Sequence, residues 1–322
     1  MHLFLDTNIY LGFFKLSGDD LEELRKLAVA VRSGETVLYL PDQVCDEFRR
    51  NRASTISESL RIVESAQLPK AYPRLFTNLD GYPEMRKTLD SFERQRGELL
   101  EKAKAAALGD NLHADQLIRE LFEIAHRVPL AAEIRASAET RRLLGNPPGK
   151  KDSMGDAINW ESLLADVPAG DDLVLVSADG DYASKLDPRV ADEFLSEEWA
   201  RLKQAAISLH GSLTAAFKAH YPAIRLAADL EKTLAIDALI ASPNFRSTHL
   251  AIQKLSAFAE FTPVEAANMI EAAMSNSQIR QIIGDVDLRE FYSILAERFC
   301  DQLEPANVAW LREALAAADP AE

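Results

Sequence analysis

Three short apolar runs stand out from the amphipathic background of the first 180 residues. Leu3-Phe4-Leu5 leads into Asp6-Thr7-Asn8, Val37-Leu38-Tyr39-Leu40 into Pro41-Asp42, and Leu173-Val174-Leu175-Val176 into Ser177-Ala178-Asp179-Gly180-Asp181. Unbroken apolar runs of this length predict strands buried on both faces, as in a parallel sheet. Between the first two, residues 19–32 place Leu21, Leu24, Leu27, Ala28 and Val31 at helical spacing, and Ser33-Gly34-Glu35 ends the pattern. After the second run Asp42 is placed to N-cap a helix from Gln43 that carries Val44, Glu47 and Phe48. Strand, helix, strand, helix predicts βαβ units and an α/β fold around a parallel sheet.

From about residue 54 to 144 the pattern predicts no strand. Residues 83–108 carry Met85, Leu89, Phe92, Leu99, Leu100 and Ala103 at three- and four-residue steps, and residues 114–127 repeat this on Leu117, Leu121 and Ile124. The two together predict an antiparallel helical pair inserted at about 55–145. Gly145-Asn146-Pro147-Pro148-Gly149 breaks the pattern, and residues 151–164 predict a helix before the third apolar run. Beyond Trp199 only helices are expected, at 210–217, 223–240, 247–261, 263–274 and 286–302, punctuated by Pro243-Asn244 and Thr262-Pro263. The expected organisation is an α/β domain over 1–205 and an all-helical domain over 206–322. Ile279, Ile282 and Ile283 read as core of that second domain.

Composition narrows the classes. At 322 residues the chain is long enough for a main domain and a smaller one, and no apolar run approaches the ~20 residues of a membrane span. Cys45 and Cys300 have no metal-ligand spacing, and no secretory leader pattern is present, so a cytoplasmic protein with no membrane partner is expected. The formal net charge of −15 excludes a general nucleic-acid coat, because phosphate binding requires basic surface. It leaves room for an enzyme whose acids hold cations. Arg49, Arg50 and Arg52, Arg94 and Arg96, and Lys150 and Lys151 form local basic clusters that read first as solvated faces.

Asp6 and Asp179 end two of the expected parallel strands, while Glu47 and Asp156 lie near the starts of two expected helices. Strand C-termini and helix N-termini share one edge of a parallel sheet, where ligands bind. Four carboxylates converging there repel unless protonated or offset by a cation, and an all-oxygen set suits Mg²⁺ or Mn²⁺ rather than zinc. Capping is the alternative for each acid taken singly, and Asp152 is foremost a cap, although it stands one turn before Asp156. Asp181 reads either as an additional ligand or as a turn residue after Gly180.

With these residues in order the chain resembles the PIN-domain nuclease superfamily, in a PIN-like group with a helical insertion. The match rests on Phe4-Leu5-Asp6-Thr7-Asn8, on Leu40-Pro41 through Glu47-Phe48, on Pro147-Pro148-Gly149 through Gly155-Asp156-Ala157-Ile158-Asn159-Trp160, and on Val176 through Tyr182. It covers roughly residues 1–200. The resemblance implies a three-layer α/β/α domain and a metal-dependent ribonuclease. Its site would be Asp6, Glu47, Asp156 and Asp179, supported by Asp181 and Asp152, with Asn8 and Ser177 orienting carboxylates or water. Ser177 stands where Thr is common, and Thr7 reads equally as an orienting group or as a local backbone hydrogen-bonder.

The chemistry so implied is hydrolysis of a phosphodiester by a water activated at a divalent cation, with RNA favoured over DNA as substrate. A toxin-like or defence role, and a protein partner or self-association through the C-terminal helices, fit the same reading. His2, His113, His126, His210, His220 and His249 share no spacing with the acids and are read as structural. Ser177 has no triad partners, and no glycine pattern makes a phosphate loop. Two other classes compete. A catalytically silent PIN-like scaffold would bind nucleic acid or protein, yet here all four acids are present. A phosphatase of the haloacid dehalogenase type needs Asp-x-Asp after the first strand, where this chain has Asp6-Thr7-Asn8.

Overall fold

A computed structural model describes the chain except residues 16–18, 67, 69–71, 150–153, 222–223, 225, 259, 301 and 318–322. It divides into two compact units, Met1–Ile224 and Arg225–Glu322. The first holds β1 (His2–Leu5), α1 (Thr7–Gly12), α2 (Leu21–Arg32), β2 (Val37–Pro41), α3 (Asp42–Ser65) and α4 (Tyr82–Leu108). It continues with α5 (His113–Ile124), β3 (His126–Val128), α6 (Ala132–Leu144), α7 (Gly155–Asp166), β4 (Leu173–Val176), α8 (Glu193–Lys203), β5 (Ile207–His210) and α9 (Leu213–His220).

The five strands form one parallel sheet in the order β3-β2-β1-β4-β5. The three central strands are the three apolar runs of the sequence, with Leu3, Leu38 and Leu173 fully buried. Helices α5 and α9 pack on α2 as one layer, and α3, α6 and α8 pack on α7 as another, giving the three-layer α/β arrangement. Leu5 pairs with Val176 and Val176 with His210, so the residues after β1, β4 and β5 emerge side by side at one edge.

β3 and β5 were not expected. Both are short edge strands, and β3 (His126, Arg127, Val128) and β5 (Ile207 to His210) mix polar with apolar residues where one flank of the strand is open. A run without an apolar block carries little strand signal. β5 and α9 also move the division between the units to residue 224, later than the expected 205, because both are held on the first sheet.

The insertion is narrower than 55–145. The chain rejoins the core at Ala114, since α5 packs on α2, β3 pairs with β2, and α6 packs on α7. What projects is an arm made of the end of α3, beyond the buried Ile56, and α4, which has no buried residue. Its roots are clasped by Arg52, which grips the buried Asp115 with two nitrogens at 2.6 and 2.7 Å and pairs with Asp110 at 2.7 Å. Asp42 is the first residue of α3 rather than its cap; Pro41 caps without a side-chain bond, and Asp42 pairs with Arg127 of β3.

The second unit is all helical, with α10 (Ala227–Ile240), α11 (Phe245–Leu255), α12 (Pro263–Ser275), α13 (Ser277–Gln281), α14 (Val286–Arg298) and α15 (Pro305–Ala317). α11 and α14 end earlier than their patterns suggest, and α13 and α15 are additional. Its core is built on Leu239, Ile252, Leu255, Met269 and Leu288, and it buries Ile279, Ile282 and Ile283 as expected. Among the described residues no helix is long and apolar enough to cross a membrane.

Candidate acidic site

Asp6 follows β1 and caps α1, accepting the Thr7 amide at 2.7 Å on Oδ1. Its other oxygen accepts the Asn8 Nδ2 and the Ser177 hydroxyl, each at 2.6 Å. Asn8 also reaches Ser177 Oγ at 3.2 Å and takes the Ala178 amide on Oδ1 at 3.1 Å, while Ser177 Oγ accepts the Asp179 amide at 3.1 Å. Asn8 and Ser177 thus stitch the ends of β1 and β4 together around one buried carboxylate.

Glu47 enters from the second turn of α3, where Oε2 accepts the Thr7 hydroxyl at 3.3 Å. The Thr7 side chain therefore bonds an acid across the fold. Asp156 enters in the first turn of α7. Gly155 lets that helix start approach α3, since a Cβ there would meet Gln43 Nε2 at 3.0 Å and Glu47 Oε2 at 3.4 Å. Asp179 is exposed beyond β4 and Asp181 half-buried. Pro147, ahead of α7, is anchored by the buried Arg141, which bonds its carbonyl together with Glu161 and Glu198. Asp152, Lys150 and Lys151 lie outside the described residues.

The electrostatics follow from burial. Asp6 is pushed up to about 6, chiefly by desolvation, against the pull of its Ser177 and Thr7 bonds and with Glu47 and Asp179 adding repulsion. Asp156 is pushed up to about 7 by burial first, then by Asp6, Asp181, Glu47 and Asp179. The five expected acids thus share one electrostatic neighbourhood. Among the described residues no three ligating side chains form a ready-made metal cage. The donor set still fits a hard divalent cation, being all oxygen and partly buried.

The histidines pair away from the acids: His2 with Tyr39 and Asp171, His113 with Arg25, His126 with Asp166, His210 with His220, and His249 with Asp285 and Asp287. Arg52 of the first basic cluster is committed to the arm clasp, and Arg96 of the second lies over Phe92. Two residues that the sequence did not single out for a role, Asn159 and Tyr182, are fully buried in this neighbourhood. Asn159 stands one helical turn after Asp156, and Tyr182 follows Asp181 directly. Their signals in the sequence were that adjacency and their place in the stretches that carry the family resemblance.

A model of the PIN domain matches residues 3–182 of the chain. No curated protein and no solved structure matches it.

Proposed function

The chain belongs to the PIN-domain family, and from that premise we propose that it is a metal-dependent endoribonuclease. Asp6, Glu47, Asp156 and Asp179 would hold Mg²⁺ or Mn²⁺, with Asp181, and Asp152 before α7, in support. The observation that carries this reading is the gathering of acids from the ends of β1 and β4 and the starts of α3 and α7, where Asp6 and Asp156 are each raised partly by the other acids. Burying mutually repelling carboxylates is costly for a structural cluster and is the ordinary arrangement of a cation site.

A bound divalent cation supplies Lewis-acid activation of water and offsets charge on the phosphodiester. The protein's own residues do the positioning. Thr7, Asn8 and Ser177 fix both oxygens of Asp6, so this carboxylate keeps one orientation. The Thr7 hydroxyl reaches one oxygen of Glu47 at 3.3 Å. Asp179 is the exposed one of the five described acids and so the one open to an arriving phosphate. With an overall charge of −15, phosphate contact has to be local, and the free substrate approaches against the protein's field.

The test is cleavage of single-stranded RNA, structured RNA and single-stranded DNA with Mg²⁺, with Mn²⁺ and with chelator, comparing wild type, Asp6→Asn and Asp179→Asn. RNA cleavage that needs the cation and is lost in both folded variants is expected. Cleavage that survives both substitutions defeats the proposal, and inactivity of wild type on every substrate favours a silent scaffold.

A further inference from the structure

Residues 49–61 of α3 hold four arginines and one acid, Glu58, in a chain with 36 basic and 51 acidic residues. The four arginines have different fates. Arg52 is spent on the arm clasp, and Arg49 turns back to Asp46 at 3.4 Å. Arg50 and Arg61 are exposed, and among the described residues neither makes a hydrogen bond or an ion pair. Both stand on the side of α3 that carries Glu47. Arg50 follows it by three residues and Arg61 by fourteen, close to one turn and to four turns of helix. The helix packs through a different face, on Val44, Cys45, Phe48, Thr55 and Ile56. The exposed row thus begins at an acid of the site and runs about 21 Å out along the arm.

We propose that this side of α3 carries the phosphate backbone of a single strand of RNA to the acidic site, with Arg50 and Arg61 each meeting a phosphate. The inference rests on the ribonuclease reading above. A guanidinium suits that contact because its planar fork matches two phosphate oxygens and it is weakly hydrated. One row of arginines on one helix follows one strand, and the spacing of about 17 Å from Arg50 to Arg61 spans several nucleotides of an extended chain. Between them the exposed Asn51 and Ser57 offer neutral donors, while the Ser54 hydroxyl is bonded to the Asn51 carbonyl at 2.8 Å. Phosphate contacts fix where a strand lies and carry no sequence information. Against an overall charge of −15, an unpaired cation one turn from Glu47 is where an arriving phosphate is drawn.

The experiment is fluorescence anisotropy of labelled single-stranded RNA, read in Mg²⁺ across a salt series, on the full chain carrying Asp6→Asn so that cleavage is stopped. Arg50→Gln with Arg61→Gln is added to that parent, and separately Arg94→Gln with Lys102→Gln. Arg94 and Lys102 are equally exposed on α4 and also have no partner among the described residues, so the second pair reports the arm's general charge. Neither pair removes a bond, and both should melt with the parent. The expected result for the α3 pair is a Kd raised about tenfold, alike for unrelated sequences, with the slope of log K against log salt shallower by about 1.4, at about 0.7 per phosphate. The α4 pair should bind as the parent does. An α3 pair that matches the parent in Kd and slope overturns the inference alone, because the parent's own binding leaves the ribonuclease reading standing. An equal loss in the α4 pair also overturns it, since diffuse charge on the arm then suffices. A parent that binds no RNA defeats the ribonuclease reading, and the inference with it.

Discussion

The Ser177 hydroxyl donates to Asp6 Oδ2 at 2.6 Å while accepting the Asp179 amide at 3.1 Å, so one side chain couples the acids at the ends of β1 and β4. Ser177→Ala leaves Asp6 buried with one donor fewer and raises its carboxyl above the present value of about 6. A loss of about 1–2 kcal/mol at pH 8 is expected in urea denaturation, because a bond to a charged group is removed. Mn²⁺ affinity should fall about tenfold. Ser177→Thr, which keeps the hydroxyl, should restore most of both.

Asp156→Asn separates stability from activity. At pH 8 the Asp156 carboxyl, raised to about 7 by burial and by its acidic neighbours, is ionised at a cost that a neutral amide avoids. In chelator the variant should be more stable than wild type by about 1–3 kcal/mol, the part of that shift left after solvent screening. Its RNA cleavage should be lost. A calorimetric melt and a cleavage assay on one preparation check both halves.

The metal-free protein should lose stability as pH rises. Asp6 and Asp156 hold their protons more tightly folded than unfolded, with folded values of about 6 and 7 against an ordinary 3.8. Between those limits the folded chain binds more protons than the unfolded chain, so raising the pH favours unfolding across that window. Below about pH 4 both states carry the protons and the contribution is constant. Urea midpoints in chelator should drop from pH 5 to pH 8, and added Mn²⁺ should recover more at pH 8 than at pH 5.

Arg141 is the structural counterweight to the site. Its guanidinium meets Glu161 at 2.6 Å, Glu198 at 2.7 Å and the Pro147 carbonyl at 2.6 Å, and Trp160 Nε1 donates to the same Glu198 at 2.8 Å. Arg141→Ala leaves two poorly exposed carboxylates without their cation and should cost about 3–5 kcal/mol in urea denaturation. Arg141→Lys should recover little, since an ammonium cannot span three partners in the planar fork geometry.

What the sequence made legible was whatever it stated locally. The central strands announced themselves as apolar blocks, and Asp6 and Asp179 followed them directly, so fold class and sheet edge were both readable. β3 and β5 were not, because three or four residues at an edge, half polar, resemble loop. The return of α5 to the core was hidden for another reason: its Leu117, Ile118 and Leu121 make the same pattern whether they pack on α4 or, as they do, in the core beside α2. Tyr182 and Asn159 were invisible as a pair because they lie 23 positions apart, and only the folded chain buries both near the acids. The partner of the Thr7 hydroxyl, Glu47, was not readable locally because it lies 40 residues downstream.

With Arg52 of α3 fastened to Asp115 of α5, the intervening arm begins and ends at fixed points of the core. Length between two such anchors is thermodynamically inexpensive, since doubling a closed loop costs only about 0.6 kcal/mol in closure entropy. A foreign module spliced into the exposed turn at 77–81 would therefore hang outside the sheet and leave Asp6, Glu47 and Asp156 where they stand. The arm is the natural port through which this fold can be tagged, tethered or lengthened without reopening its acidic edge.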